Sequence, residues 1–417
     1  MISSCPIQEG LLFEMNHKSN NRYINGTTLS YGVVHILYWT IFCLMVAFAS
    51  AFLLSRGLSS SRIGLILGVS YLLSALLQPV TGAFFSRHNI PRSRGIAVIY
   101  IPVALITVAI RFLPLSGNAV GACMIVLVTV QSMMQPSVNA LYQSIETKEE
   151  PVNFGMARGM GSVAYALSSF FAGRLLKIFD PSILPLMYLT AQLLLITVLF
   201  LIRDNGAVVK SRDRGGNMSY GEMLNRYSHL RFFVLGMICL FLTYSFIDSF
   251  LVQIILSIGG TTSDLGTAIM FAAILEMPAM VIYAWICRKG RGMEVFQISM
   301  WIWLAKDILM VFVRTPQQLF LVQIMGCACC AIYVPGMMHY MSRSLPPSQL
   351  LRGATMAGTA TTLGSLIATL VGGWMIDHAG VHTSLILVQI PAVAGTLLMN
   401  AAIIRARKTA YAAKEKT

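Results

Sequence analysis

The chain has 417 residues, of which 56% are hydrophobic and 11% charged, and its mean hydropathy is +0.71; a protein whose surface meets water is not built this way. The net charge of +14 is spread over many short polar segments rather than gathered on one domain, which excludes a nucleic-acid partner. The composition is that of a polytopic membrane protein.

The first 30 residues are polar and contain no apolar core followed by a small-residue cleavage site, so no signal peptide is expected. Asn25-Gly26-Thr27 fits a glycosylation sequon, but it falls in a tail assigned below to the cytoplasm. From Tyr31 onward, apolar runs of the length that crosses a bilayer, about 20 residues, recur twelve times: 31–54, 64–85, 95–113, 118–143, 154–176, 181–202, 232–257, 264–287, 295–313, 317–342, 353–376 and 383–404. Several contain Gly or Pro, which membrane helices tolerate. None alternates with period two, which excludes a barrel.

One long polar stretch, 203–231, divides the runs into six and six. The sequence therefore predicts a cytoplasmic tail at 1–30, a six-helix bundle at 31–202, a linker at 203–231, a second bundle at 232–404 and a tail at 405–417. Within the linker, MSYGEMLNRY has the pattern of a short helix lying along the membrane surface. Most of the 30 basic residues fall in the tails and in the loops on one face, which places both termini in the cytoplasm. Weak internal symmetry accompanies the division: the second and eighth runs are each followed by a short basic turn, and the fifth and eleventh begin ARGMG and LRGAT. Gly155 and Gly159 in the fifth run, and Gly353, Gly358, Gly364, Gly372 and Gly373 in the eleventh, allow close helix approach. Of the eight cysteines, Cys327, Cys329 and Cys330 form CACC inside an apolar run, where packing is favoured over metal binding.

Several segments carry a resemblance. Residues 82–94, GAFFSRHNIPRSR, are similar to the signature loop of the major facilitator superfamily, with Ser86 where that family has an acid. GLILGVSYLLSALLQPVTGAFFS, PSVNAL at 136–141, NFGMARGMGSVAYAL at 153–167 and LTYSFIDSF resemble the second, fourth, fifth and seventh helices of its lactose-permease-like branch, which includes sugar and phenylpropionate permeases. The resemblance implies an all-α protein of twelve transmembrane helices in two pseudo-symmetric bundles, working as a monomer in a cell membrane; the short loops favour a bacterial inner membrane.

Ionisable side chains at membrane depth cost about 2.5 to 3.5 kcal/mol each on insertion scales and are functional candidates by default. Here they are Arg158, Asp248, Glu276, Lys306 and Asp307. Arg158 stands where the resembled branch has a sugar-binding arginine, a role that suits a fixed fork of donors; the alternative is an arginine snorkelling to the interface. Ser162 and Tyr165 share its helix face, and Tyr165 stands where the lactose permease stacks an aromatic on the sugar. The branch's fourth-helix carboxylate is replaced by Asn139, which can bond a hydroxyl but cannot neutralise Arg158, so an anionic solute and a neutral sugar both stay open. Tyr244 lies one turn before Asp248, which matches one of two acids of the seventh helix; Ser245 replaces the other. Lys306 is the expected partner of Asp248, as a structural ion pair or as a switch. Asp307, adjacent to Lys306, points roughly 100° away. Glu276 lies among apolar residues and ranks first as the group that takes a proton from one side and releases it to the other. Where the lactose permease has a histidine and a glutamate in its tenth helix this chain has Cys330 and Tyr333 before Pro335, so that relay does not carry over. His339 is expected at the cytoplasmic interface.

The expected function is a secondary active transporter, a proton-coupled symporter importing a sugar, oligosaccharide, organic acid or nucleoside by alternating access, with an uncoupled facilitator or an exporter as the alternative. Arg158, Tyr165, Asn139, Ser162 and Tyr244 would hold the solute. Glu276, Asp248, Lys306 and Asp307 would serve coupling or charge pairing. No enzyme is expected, for want of a nucleophile and base or of metal ligands on facing helices; the coupling ion is a proton, with no cofactor and no metal, and the partners are the solute and the lipid bilayer.

Overall fold

The computed structural model describes residues 25–88, 90–147, 150–204 and 218–414. They form twelve helical spans: α1 (Gly26–Phe42, then a wide turn Cys43–Ala47 and Ala49–Ser55), α2 (Ser60–Arg87), α3 (Arg92–Phe112), α4 (Gly117–Asn139), α5 (Phe154–Ile178), α6 (Leu184–Leu201), α7 (Ser228–Ser249 and Leu251–Ser257), α8 (Thr262–Ile274 and Glu276–Arg288), α9 (Gly292–Phe312), α10 (Pro316–Ile324 and Cys327–Ser344), α11 (Leu350–Ala379) and α12 (Val381–Leu387 and Gln389–Lys414). No strand occurs among the described residues. Among the same residues, ten of the spans are long and apolar enough to cross a membrane. The other two are α5, which carries Arg158, Arg174 and Lys177, and α10, which is interrupted at Met325 and Gly326.

The first helix starts at Gly26, ahead of the expected Tyr31, because Asn25 caps it: its side chain accepts from the Thr28 N–H and donates to the Pro151 carbonyl. The rest of the expected N-terminal tail, 1–24, lies outside the described residues. The linker expectation falls partly on 205–217, also outside them; its remainder includes a short helix, Tyr220–Arg226, closed by a reciprocal cap between Ser219 and Glu222.

Interruptions have local causes. Pro278 has no N–H to offer the Ile274 carbonyl, so α8 breaks at Leu275 and restarts at Glu276. In α10 the Gly326 N–H bonds the Gln323 carbonyl, and the Cys329 thiol donates to the Met325 carbonyl at 3.4 Å, replacing ladder bonds lost at the break. No cluster of three or more His, Cys, Asp or Glu residues that could hold a metal occurs among the described residues.

Two pairs of helices join the halves: α2 packs along α11, and α5 along α8. Both meetings lie at the end of the molecule away from Gly26. There Gly64 faces the Thr369 carbonyl, Gly373 faces Ser60, and a Cβ on Gly173 would lie 2.9 Å from the Gly266 Cα. Only backbones without side chains approach this closely. At the other end α2 and α11 splay apart, and nothing lies within 4 Å of a Cβ built on Gly82 or Gly358.

The buried side chains repeat the asymmetry. One apolar cluster runs across both halves at the closed end, taking in Phe246, Phe250, Ile255 and Leu265 with residues of α1 to α6. A second, around Phe233, Met293, Tyr340 and Met399, belongs to the second half alone. The first half is tied internally by Gln131: its Nε2 donates to the Tyr38 carbonyl (3.1 Å), while its Oε1 accepts from Tyr100 (2.7 Å).

Candidate functional site

A cavity of about 490 Å³ lies between the halves, walled by α1, α2, α4 and α5 on one side and α7, α8 and α11 on the other. Arg158, Ser162, Tyr165, Tyr244, Asp248 and Glu276 all line it. Six of the nine residues singled out from sequence are thus brought to one space, although they come from three helices in two halves.

Arg158 is fixed by two contacts. Its Nη1 donates to the Ser162 Oγ at 2.9 Å, one helical turn on, and its guanidinium carbon lies 4.0 Å from the centre of the Trp39 ring. A cation over an aromatic face gains about 0.5 to 2 kcal/mol. Trp39 reaches it because Gly161 leaves room: a Cβ there would come within 2.5 Å of the indole. Trp39 also packs edge-on against Tyr165, with ring centres 6.1 Å apart. Of the small residues expected to allow close approach on α5, Gly159 is buried, whereas Gly155 is exposed.

Asn139 does not join this group. It is the last residue of α4, and its backbone carbonyl accepts from the Tyr31 hydroxyl at 2.9 Å, which anchors the helix end to α1 and away from the cavity wall. The helix ends at the Ala140 cap, so Asn139 sits a turn beyond the cavity-lining Gln135. Asn139 is not among the residues that line the cavity; the amides that do are Gln135 and Gln78.

A smaller cavity of about 80 Å³ adjoins the first and shares Tyr165, Tyr244, Asp248 and Glu276 with it. Its remaining polar wall is Lys306 of α9 and Gln323 of α10, with Gly326 at the break in α10. Lys306 and Asp248 thus face one space, and Lys306 also lies 3.7 Å from the Asp307 carboxylate. Asp307 is fully buried and lines neither cavity, in keeping with the turn of roughly 100° between neighbours on a helix. Glu276 begins the second segment of α8, at the break that Pro278 imposes, so the carboxyl is carried on an irregular piece of backbone. His339 is buried against Gly292, at the very start of α9.

Trp39 is a site residue that the sequence does not single out. The available signal is its depth: tryptophans of membrane helices gather at the interfaces, and Trp39 stands 14 positions into α1, in line with His35 and Phe42 at helical spacing.

A helical membrane protein of two packed halves, with opposed ionisable side chains lining a cavity that is closed at one end, has the architecture of a secondary transporter. The chain matches the MFS_1 like family over residues 28–387 and belongs to it. No curated protein sequence matches it. Among solved structures it is similar to a mutant form of the nucleoside transporter NupG, with a TM-score of 0.76 at 12% identity over 90% of this chain and 100% of that one. It is also similar to a bacterial homologue of the human lysosomal transporter Spinster, inward-facing and unoccupied (TM-score 0.65, 11% identity, 94% and 99% covered). The human organic anion transporter MFSD10 is a third (TM-score 0.61, 15% identity, 89% and 98% covered). At these identities the likeness is one of fold.

Proposed function

We propose that the protein is a proton-coupled symporter that carries a small polar organic solute across a cell membrane. The observation that carries this reading is that Arg158 from the first half and Asp248 and Glu276 from the second line one cavity. Fixed donors on one wall and proton-accepting groups on the other couple two binding events in one space, and accumulation needs that coupling. Arg158, held on Trp39 and Ser162, orients the solute together with Tyr165 and Tyr244. Glu276 carries the proton, Asp248 senses it through Lys306, and Asp307 holds Lys306 in place. With both termini in the cytoplasm, the open end faces inward. The protein acts as a monomer in a bacterial inner membrane, as a carrier of the lactose-permease-like kind.

Two of its structural neighbours are a nucleoside transporter and an organic anion transporter. Both kinds of solute fit the description of a polar organic molecule, and a sugar fits it equally. The test uses proteoliposomes loaded with a pH-sensitive dye and challenged in turn with millimolar disaccharides, monosaccharides, aromatic acids and nucleosides. One class of solute should move protons inward with it, and Glu276→Gln should abolish that movement. Solute flux with no proton movement would identify an uncoupled carrier instead.

A further inference from the structure

The N-terminus of α2 is capped from the other half of the molecule. Helices begin with N–H groups that lack a partner in their own ladder. Ser59 serves one of them in the usual way, its hydroxyl accepting from the Arg62 N–H at 3.4 Å. Two more are served by Asp377, near the end of α11: one carboxylate oxygen accepts from the Ser60 N–H at 3.0 Å and the other from the Ser61 N–H at 2.7 Å, with the Ser61 hydroxyl bonding the latter oxygen as well. Residues 316 and 317 positions apart in sequence thus complete one helix cap.

The pseudo-equivalent helix of the second half behaves differently. The N-terminus of α8 is closed within its own chain segment: the Thr261 N–H and hydroxyl both donate to the Asp264 carboxylate, at 2.7 and 2.8 Å. Of the two, only α2 borrows its cap across the halves. The borrowed carboxylate sits at the closed end, one turn from Gly373 and its contact with Ser60, and at the same end as the contact between Gly173 and Gly266. Three hydrogen bonds to a charged acceptor, each stronger than a neutral one, therefore exist only while the halves are together at this end.

We propose that Asp377 is the latch of this face: it holds the end remote from Gly26 shut, and its release is part of opening the cavity to that side. The inference rests on the alternating-access reading given above, but its test needs neither the solute nor the proton.

Hydrogen–deuterium exchange of the full chain in detergent would compare the native protein with Asp377→Ala, Asp377→Asn and Ser61→Ala. With the latch removed, peptides covering 59–67 should exchange about tenfold faster, and so should 169–174 and 262–268 on the α5 to α8 contact, because the whole face opens. Asp377→Asn, which keeps one acceptor, should lie between, and it together with Ser61→Ala carries the test if Asp377→Ala does not fold. Acceleration confined to 59–62 would make Asp377 a local cap, and no acceleration would make it dispensable; either overturns the proposal. Acceleration that spreads to α3 and α6, away from this face, would mean lost stability and overturns it as well. A latch that passes while no solute in the panel moves would leave the latch standing and count against the transport reading alone.

Discussion

Arg158 and Trp39 form a stacked pair across α5 and α1, with 4.0 Å between the guanidinium carbon and the ring centre. The pair explains how a cation persists beside a cavity to which its own half contributes no carboxylate among the described lining residues. Charge is met by a ring face, and under the reading proposed above the donors of the fork not used by Ser162 meet the solute.

Replacing the ring should therefore weaken solute binding more than it weakens the fold. Trp39→Ala is expected to raise the dissociation constant of the transported solute about tenfold, in line with a loss of about 1.4 kcal/mol, while Trp39→Phe, which keeps a ring face, should lose less. Thermal-shift titration of both variants reads the difference. Equal losses in the two would show that the indole itself, not a ring face in general, is what Arg158 needs.

Glu276→Gln should abolish accumulation driven by a pH gradient while solute exchange between equal compartments survives. Counterflow in proteoliposomes separates the two activities. A variant that still accumulates would remove Glu276 from the coupling step.

Lys306 and Asp307 are buried together at 3.7 Å, so breaking the pair leaves an uncompensated charge, at a cost of about 3 to 5 kcal/mol. Lys306→Ala should lower the melting temperature, and Asp307→Asn added to it should recover part of the loss. A double-mutant cycle measures the coupling. Independent effects would show that Lys306 answers to Asp248 instead.

Much of this was legible in the sequence, for reasons of scale. A bilayer needs long apolar runs, so the spans announce themselves, and a charge within them is expensive enough to point to a site; hence Arg158, Asp248 and Glu276 could be found without coordinates. Asn139 could not be judged the same way. It is the last residue before the Ala140 C-cap, one turn past Gln135, and its backbone carbonyl is tied to the Tyr31 hydroxyl, 108 positions away. Trp39 was hidden because aromatic residues are common in apolar runs. The cap on α2 was hidden because Asp377 reads as an ordinary acid near the end of a helix.

Gly266 faces the Ser169 carbonyl and the Gly173 backbone with no room for a methyl group. Gly266→Ala should push α5 and α8 apart at the closed end, with a cost of about 1 to 3 kcal/mol from overpacking. The expected result is faster exchange of the backbone amides on this face and slower transport; unchanged exchange would mean that the two helices already slide past one another freely.

Gln131 holds Tyr38 and Tyr100 at the centre of the first half. Gln131→Leu strands a buried hydroxyl and a carbonyl, so it should destabilise by about 1 to 3 kcal/mol, visible as a lower melting temperature without a change in which solutes bind. A change of solute preference would mean that this network shapes the cavity as well as supporting it.

The breaks in the helices are unevenly shared. In the second half α7, α8, α10 and α12 are each interrupted, and the interruptions in α8 and α10 fall beside Glu276 and Lys306. The first half, cross-braced by Gln131, has its wide turn in α1 and little else of the kind. A molecule assembled this way is not built as two equal jaws. One half is an anvil that presents Arg158 at a fixed height, and the other is jointed at the level of its own charges; under the proton-coupled reading proposed above, a proton gained or lost at Glu276 acts directly on the joint that carries it.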